Sequence, residues 1–134
     1  MEDYFDLHLD VDHVRSISSI GLAHLGDAVY ELMARSWLCA HGKATGKGLH
    51  RAAVELVKAP AQAERAEKIL PLLTEEELAV FKRGRNAHVN TIPQNASRSD
   101  YLKATALECL LGYLYLTGRR DRVNWLFNAM MEGV

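Results

Sequence analysis

The chain has 134 residues, 49% of them hydrophobic and 25% charged, with a formal net charge of -1. This balance predicts one globular domain with a core of its own, and it excludes disordered, collagen-like and long coiled-coil chains. Two cysteines, Cys39 and Cys109, are too few for a disulfide framework or a zinc site, no apolar run reaches the roughly 18 residues that span a bilayer, and the acidic start MEDYFDLHLD is unlike a signal peptide; a reducing cytoplasm is the expected setting.

The pattern is helical nearly throughout, and no stretch alternates apolar and polar residues as a strand would. Residues 1–17 read as an acidic, loosely ordered segment. A first strong helix is predicted from Ser18 or Ser19 to Ala40, with a serine cap at its start and Gly42 beyond its end. A second follows from about Lys47 to Lys58, striped by Leu49, Ala52, Ala53, Leu56 and Val57. Pro60 starts a third, which ends near Ile69 or Leu70. Thr74 and Glu77 form a capping box for a fourth, ending near Arg85. Asn86–Ala96, with Pro93 and three asparagines, reads as a loop. Ser97 and Asp100 form a second capping box for the most apolar helix, Tyr101 to Tyr115, closed by Gly118. A last amphipathic helix runs from about Asp121 to Met131. Six helices with short connections imply a compact all-α domain.

A charge near zero argues against nucleic acid as a partner, but the charge is unevenly spread. Residues 1–42 hold seven acids and two bases, and residues 59–81 hold five acids and two bases. Residues 43–58 hold four bases and one acid, and residues 82–103 hold five bases and one acid. The basic segments KATGKGLHR and KRGRNAHVN place Lys47, His50, Arg51, Lys82, Arg83, Arg85, Asn86 and His88 as candidate phosphate contacts. Basic residues at a helix C-terminus also favour the dipole without any ligand, so a plain solvated helix end stands beside this reading.

Two acids sit inside otherwise apolar helices: Asp27 in GLAHLGDAVYELMAR and Glu108 in ATALECLLGYLYL. A carboxylate is costly to bury unless it is paired or binds a metal. Small neighbours, Gly26, Ala104 and Gly112, leave room, and two carboxylates on facing helices can hold a hard cation such as Mg2+. A structural pairing of Asp27 with a nearby base is the competing reading. Glu31 and Arg35 are spaced as a surface ion pair. Of the six histidines none has a metal-motif spacing, and only His24, one turn before Asp27, lies near the acids.

Taken together these motifs resemble a known family. Leu25-Gly26-Asp27-Ala28-Val29-Tyr30-Glu31-Leu32 is similar to the signature helix of the ribonuclease III catalytic domain. Glu108-Cys109-Leu110-Leu111-Gly112-Tyr113-Leu114-Tyr115-Leu116 resembles that family's second acidic motif, and Gly84–Ser97 (GRNAHVNTIPQNAS) resembles the loop of its Mini-III branch. The resemblance runs from about Ile20 to Phe127 and leaves no space for the double-stranded RNA-binding domain of full-length ribonuclease III, as expected for Mini-III.

The resemblance implies a dimeric, all-α, ribonuclease III-type endonuclease that cuts double-stranded RNA with Mg2+, and the sequence leaves open whether Mn2+ can take its place. It implies maturation of the large-subunit (23S) ribosomal RNA precursor, with 5′-phosphate and 3′-hydroxyl products. Asp27 and Glu108 are then the catalytic, metal-holding acids, with Thr105 acting through water. Broader ribonuclease III enzymes carry further acids where this chain has Ala23 and Thr105. The reduced cluster suggests one tightly held ion, or a second recruited only with RNA. The resemblance implies that Mini-III enzymes share this reduced cluster and remain active; the alternative that such a cluster would also suit is a helical dimerisation module that binds RNA or protein without cutting. The helices around Trp37 and Leu110–Tyr115 offer more apolar surface than a monomer of this length needs, and the sequence leaves open which of them faces a second copy. Both cysteines are assigned to packing.

Overall fold

The helix that organises the molecule is the most apolar one. The computed structural model describes residues 1–42, 46–87 and 97–134, with the Lys47 side chain also outside the description. Among these residues there are seven α-helices and no strand: α1 Val11–Arg15, α2 Ser19–Ala40, α3 Gly46–Val57, α4 Ala59–Ile69, α5 Glu75–Arg85, α6 Arg98–Leu116 and α7 Arg120–Met130. A short 3-10 turn, Leu70–Leu72, extends α4. The lysine and loop positions at 43–45 and 88–96 lie outside the described residues.

α6 buries residues on every side, among them Ala104, Leu107, Leu110, Leu111 and Leu114, because α2, α4, α5 and α7 all pack around it. Its most extensive partner is α2. Leu110–Leu114 are therefore spent on the protein's own core and are not available to a second copy. Tyr115 and Trp37 are half-buried, Trp37 stacked on His41 with ring centroids 4.1 Å apart.

Local chemistry sets the helix ends. The Ser18 side chain accepts from the Gly21 N–H, and Thr74 and Glu77 exchange both bonds of a capping box. Ser97 accepts from the Asp100 N–H, but α6 has only this half of a box. Aspartate is one methylene shorter than the glutamate that normally reaches back. Gly42 (φ 70°) and Gly118 (φ 79°) follow α2 and α6 in the left-handed conformation that closes a helix.

The N-terminal segment is docked rather than loose. Leu7 and Val14 are buried, and the Leu9 N–H donates to the Leu116 carbonyl at 2.8 Å. The five-residue α1 is too short to leave a periodic signal. Cys109 packs in the core as expected, whereas Cys39 is exposed near the end of α2. Two ion pairs tie α5 to the α6–α7 corner. Arg122 bonds both Glu77 oxygens at 2.7 and 2.8 Å, and Arg119 bonds both Glu76 oxygens at 3.0 and 2.9 Å.

Candidate active site

Asp27 and Glu108 meet because α2 and α6 touch backbone to backbone. A Cβ on Gly26 would overlap the Glu108 carbonyl oxygen, and one on Gly112 would overlap the Leu22 carbonyl oxygen. The glycines thus do not leave room for an ion, as their sequence positions suggested. They let two helices approach until the neighbouring carboxyl groups face each other.

The acids line a shallow pocket of about 220 Å³ with Ile20, Ala23, His24, Tyr101 and Thr105. Asp27 stands exposed at its rim and Glu108 is half-buried in its wall, so only one of the two acids is embedded as expected. Neither forms an ion pair with a base among the described residues. Burial raises the Glu108 carboxyl, and the hydrogen bond and negative charge of Asp27 raise it further, to about 8. The amide of Gln62 opposes that rise. Near neutral pH Glu108 accordingly carries a proton.

This donor set fits a hard divalent cation. Two facing carboxyl groups offer oxygen ligands, the Glu108 proton can be exchanged for a metal ion, and Mg2+ keeps several waters in its octahedral shell. Among the described residues no group of three His, Cys, Asp or Glu could hold a metal, so the protein's contribution is this pair. Thr105 is buried beside it, and its hydroxyl donates to the Tyr101 carbonyl at 2.9 Å. Its oxygen is left to accept, as needed to receive a hydrogen from water. Ala23 supplies an apolar wall where the broader family has an acid.

The basic candidates lie elsewhere. His50, Arg51, Lys82, Arg83 and Asn86 are exposed and Arg85 is half-buried; none lines the acidic pocket. Arg51, Lys82, Arg83 and Arg85 form no ion pair among the described residues, unlike Arg119 and Arg122. Gly84, between the bases of α5, packs on Cys109 with no room for a Cβ, so it serves the fold. His88 and the Lys47 side chain lie outside the described residues. The larger cavity of about 1030 Å³ is elsewhere, lined by the ion-paired Glu76, Glu77, Arg119 and Arg122.

Sequence reasoning missed Tyr101 and Gln62. Tyr101 reads as one more apolar residue of α6. Gln62 is a lone amide among the alanines of α4, and that contrast was its only signal.

An all-α fold that pairs an LGD aspartate with a second-motif glutamate defines a ribonuclease III-type endonuclease domain. The family model described as "Ribonuclease III domain" matches residues 21–119. A Mini-ribonuclease 3 from Brevibacillus brevis is 48% identical over 115 residues, covering 84% of this chain and 86% of that one. Another, from a Thermoanaerobacter species, is 44% identical over 124 residues, covering 92% and 87%. A crystal structure of a protein from Fusobacterium nucleatum superposes with a TM-score of 0.81 at 31% identity, covering 89% of this chain and 97% of that one. The chain belongs to the ribonuclease III family, in its Mini-ribonuclease 3 branch, and is an endoribonuclease. Family membership decides against the non-catalytic module. Among the described residues no helix is long and apolar enough to cross a membrane.

Proposed function

We propose that the protein hydrolyses double-stranded RNA with Mg2+ as cofactor, Mn2+ substituting, to leave 5′-phosphate and 3′-hydroxyl ends, and that its cellular substrate is the 23S ribosomal RNA precursor in the cytoplasm. The observation that carries this reading is the facing of Asp27 and Glu108 across the α2–α6 contact. The Mini-ribonuclease 3 relatives support RNA as the substrate class.

Asp27 and Glu108 would hold the ion, whose chemistry is to polarise the scissile phosphate and activate water for in-line attack. The half-buried Glu108 carries the proton that must leave before the pair can serve as a dianionic clamp. Asp27, exposed at the rim, faces the incoming phosphate. Thr105 accepts a hydrogen from water at the pocket wall, and Ala23 with Ile20 keeps one side apolar. His50, Arg51, Lys82, Arg83, Arg85 and Asn86, none of which lines the acidic pocket, contact the duplex backbone away from the reacting phosphate, and Lys47 and His88 join them as phosphate contacts on the strength of the sequence.

A homodimer suits a duplex, since two-fold symmetry sets one pocket against each strand. On α2, Leu32 is 58% exposed, and Met33 and Trp37 are half-buried nearby, an apolar face that favours pairing. Incubating a duplex RNA with the protein and Mg2+, with and without chelator, tests the activity; Asp27→Asn tests the site.

A further inference from the structure

Gln62 is the side chain next to the acidic pair that the mechanism leaves unused. It lies on α4, is 3% exposed, and sits in a helix face otherwise built from Ala61, Ala63 and Ala66. Its Nε2 donates to the Val57 carbonyl at 2.7 Å and reaches Glu108 Oε2 at 3.5 Å. Its Oε1 is buried with no hydrogen-bond partner among the described residues.

The chemistry of the contacts fixes which way this amide points. A carbonyl can only accept, so the NH2 group must face Val57; turning the amide over would set two acceptors together. The NH2 group has two hydrogens. One closes the last carbonyl of α3, and the other is directed at the Glu108 carboxylate. Packing alone does not call for an amide here. An unpaired buried carbonyl is a cost that methionine or leucine, of similar length, would avoid.

We infer that Gln62 is a positioning residue: its amide, anchored on Val57, restrains the Glu108 carboxylate in the orientation that faces Asp27. Carboxylates that hold metals are commonly braced in this way, and losing the brace typically costs 10–100-fold in metal affinity. The inference rests on the reading of Asp27 and Glu108 as the cation-holding pair.

Mn2+ is the probe, its free concentration followed by electron paramagnetic resonance while the full chain is titrated. The variants are Asp27→Asn, Gln62→Met, Glu108→Gln and the double variant Gln62→Met with Glu108→Gln. Gln62→Met should weaken Mn2+ binding by about tenfold. It should raise the Mg2+ concentration for half-maximal cleavage of a duplex RNA by a similar factor and leave the KM for RNA unchanged. In the Glu108→Gln background, Gln62→Met should have no further effect on Mn2+. A Gln62→Met protein that melts earlier but binds Mn2+ as the wild type does would make Gln62 only a cap for α3 and overturn the inference. A full Gln62→Met effect in the Glu108→Gln background would also overturn it. If Asp27→Asn bound Mn2+ unchanged, the metal-site reading and this inference would fall together; a loss there with none in Gln62→Met overturns the inference alone. Should Gln62→Met not fold, Gln62→Asn, which draws the amide back by one methylene, is expected to weaken Mn2+ binding in the same direction, and unchanged binding by it overturns the inference.

Discussion

Gly26 of α2 lies against the backbone of Glu108 of α6, so close that a Cβ on the glycine would overlap the glutamate's carbonyl oxygen. The obstacle is backbone, which cannot swing aside as a flexible side chain can. Gly26→Ala must push α2 and α6 apart along the largest helix contact in the molecule. Overpacking of this kind typically costs 1–3 kcal/mol, and here about 3 kcal/mol or more is expected. Denaturant unfolding of the variant measures it, and a cost below about 0.5 kcal/mol, the range of an ordinary surface change, would refute the contact.

The Glu108 carboxyl, held near 8 by burial and by Asp27, is protonated in the folded protein at pH values where the unfolded chain, with the ordinary value of 4.5, is ionised. Its contribution to the stability of the metal-free protein is complete below the unfolded value and is lost as pH rises through the folded one. The melting temperature without metal should therefore fall as pH rises from about 5 to 8.5 on account of this group, and Glu108→Gln should remove that slope. Mg2+ binding should release a proton in the same window and tighten with rising pH, which calorimetry in two buffers of different ionisation enthalpy detects.

Helix caps were the most legible part of the fold. Ser18 and the Thr74–Glu77 box act through atoms within three residues of one another, so their partners are already in the local sequence. The Asp27–Glu108 pair was legible as two acids in apolar surroundings, but not its asymmetry, because the helical period does not say which of the two stands at a rim. Gln62 and Tyr101 were not legible because their roles depend on α4 meeting α6 and on α6 facing α2, which are tertiary facts. The sequence leaves the use of Leu110–Leu114 open for a related reason: a helix apolar on all sides is equally suited to a core or to a partner, and only the four helices around α6 decide it.

Glu77 does two jobs at once. It closes the capping box of α5 and holds Arg122 with both oxygens, at 2.7 and 2.8 Å. Burial alone would raise its carboxyl; the bonds from Arg122 and the Thr74 backbone override that and hold it below the ordinary range. Glu77→Ala removes the returning bond of the capping box, from the Thr74 N–H to the Glu77 carboxylate, and leaves a partly buried guanidinium without its charge partner, an expected loss of about 3 kcal/mol. Chemical denaturation should show that loss with the metal affinity of the folded variant unchanged.

Lys82, Arg83 and Arg85 form no ion pair among the described residues and are grouped at the C-terminal end of α5. If they contact phosphates, duplex RNA binding should fall steeply as salt rises, and each alanine substitution should lower the slope of log K against log salt by about 1. Filter binding in the presence of chelator, where no cleavage is expected, measures this. Slopes unchanged in all three variants would return these residues to the role of a solvated helix end.

The central claim is that the Asp27–Glu108 pair carries the hydrolysis. Its most direct measurement is the single-turnover rate of cleavage of a duplex RNA at saturating protein and fixed Mg2+, for the wild type and Asp27→Asn. The pairing predicts a fall of more than about a hundredfold for Asp27→Asn, since even groups that only brace a metal ligand cost 10–100-fold, with the helical circular dichroism spectrum unchanged. Cleavage by Asp27→Asn at the wild-type rate, still abolished by chelator, would contradict it.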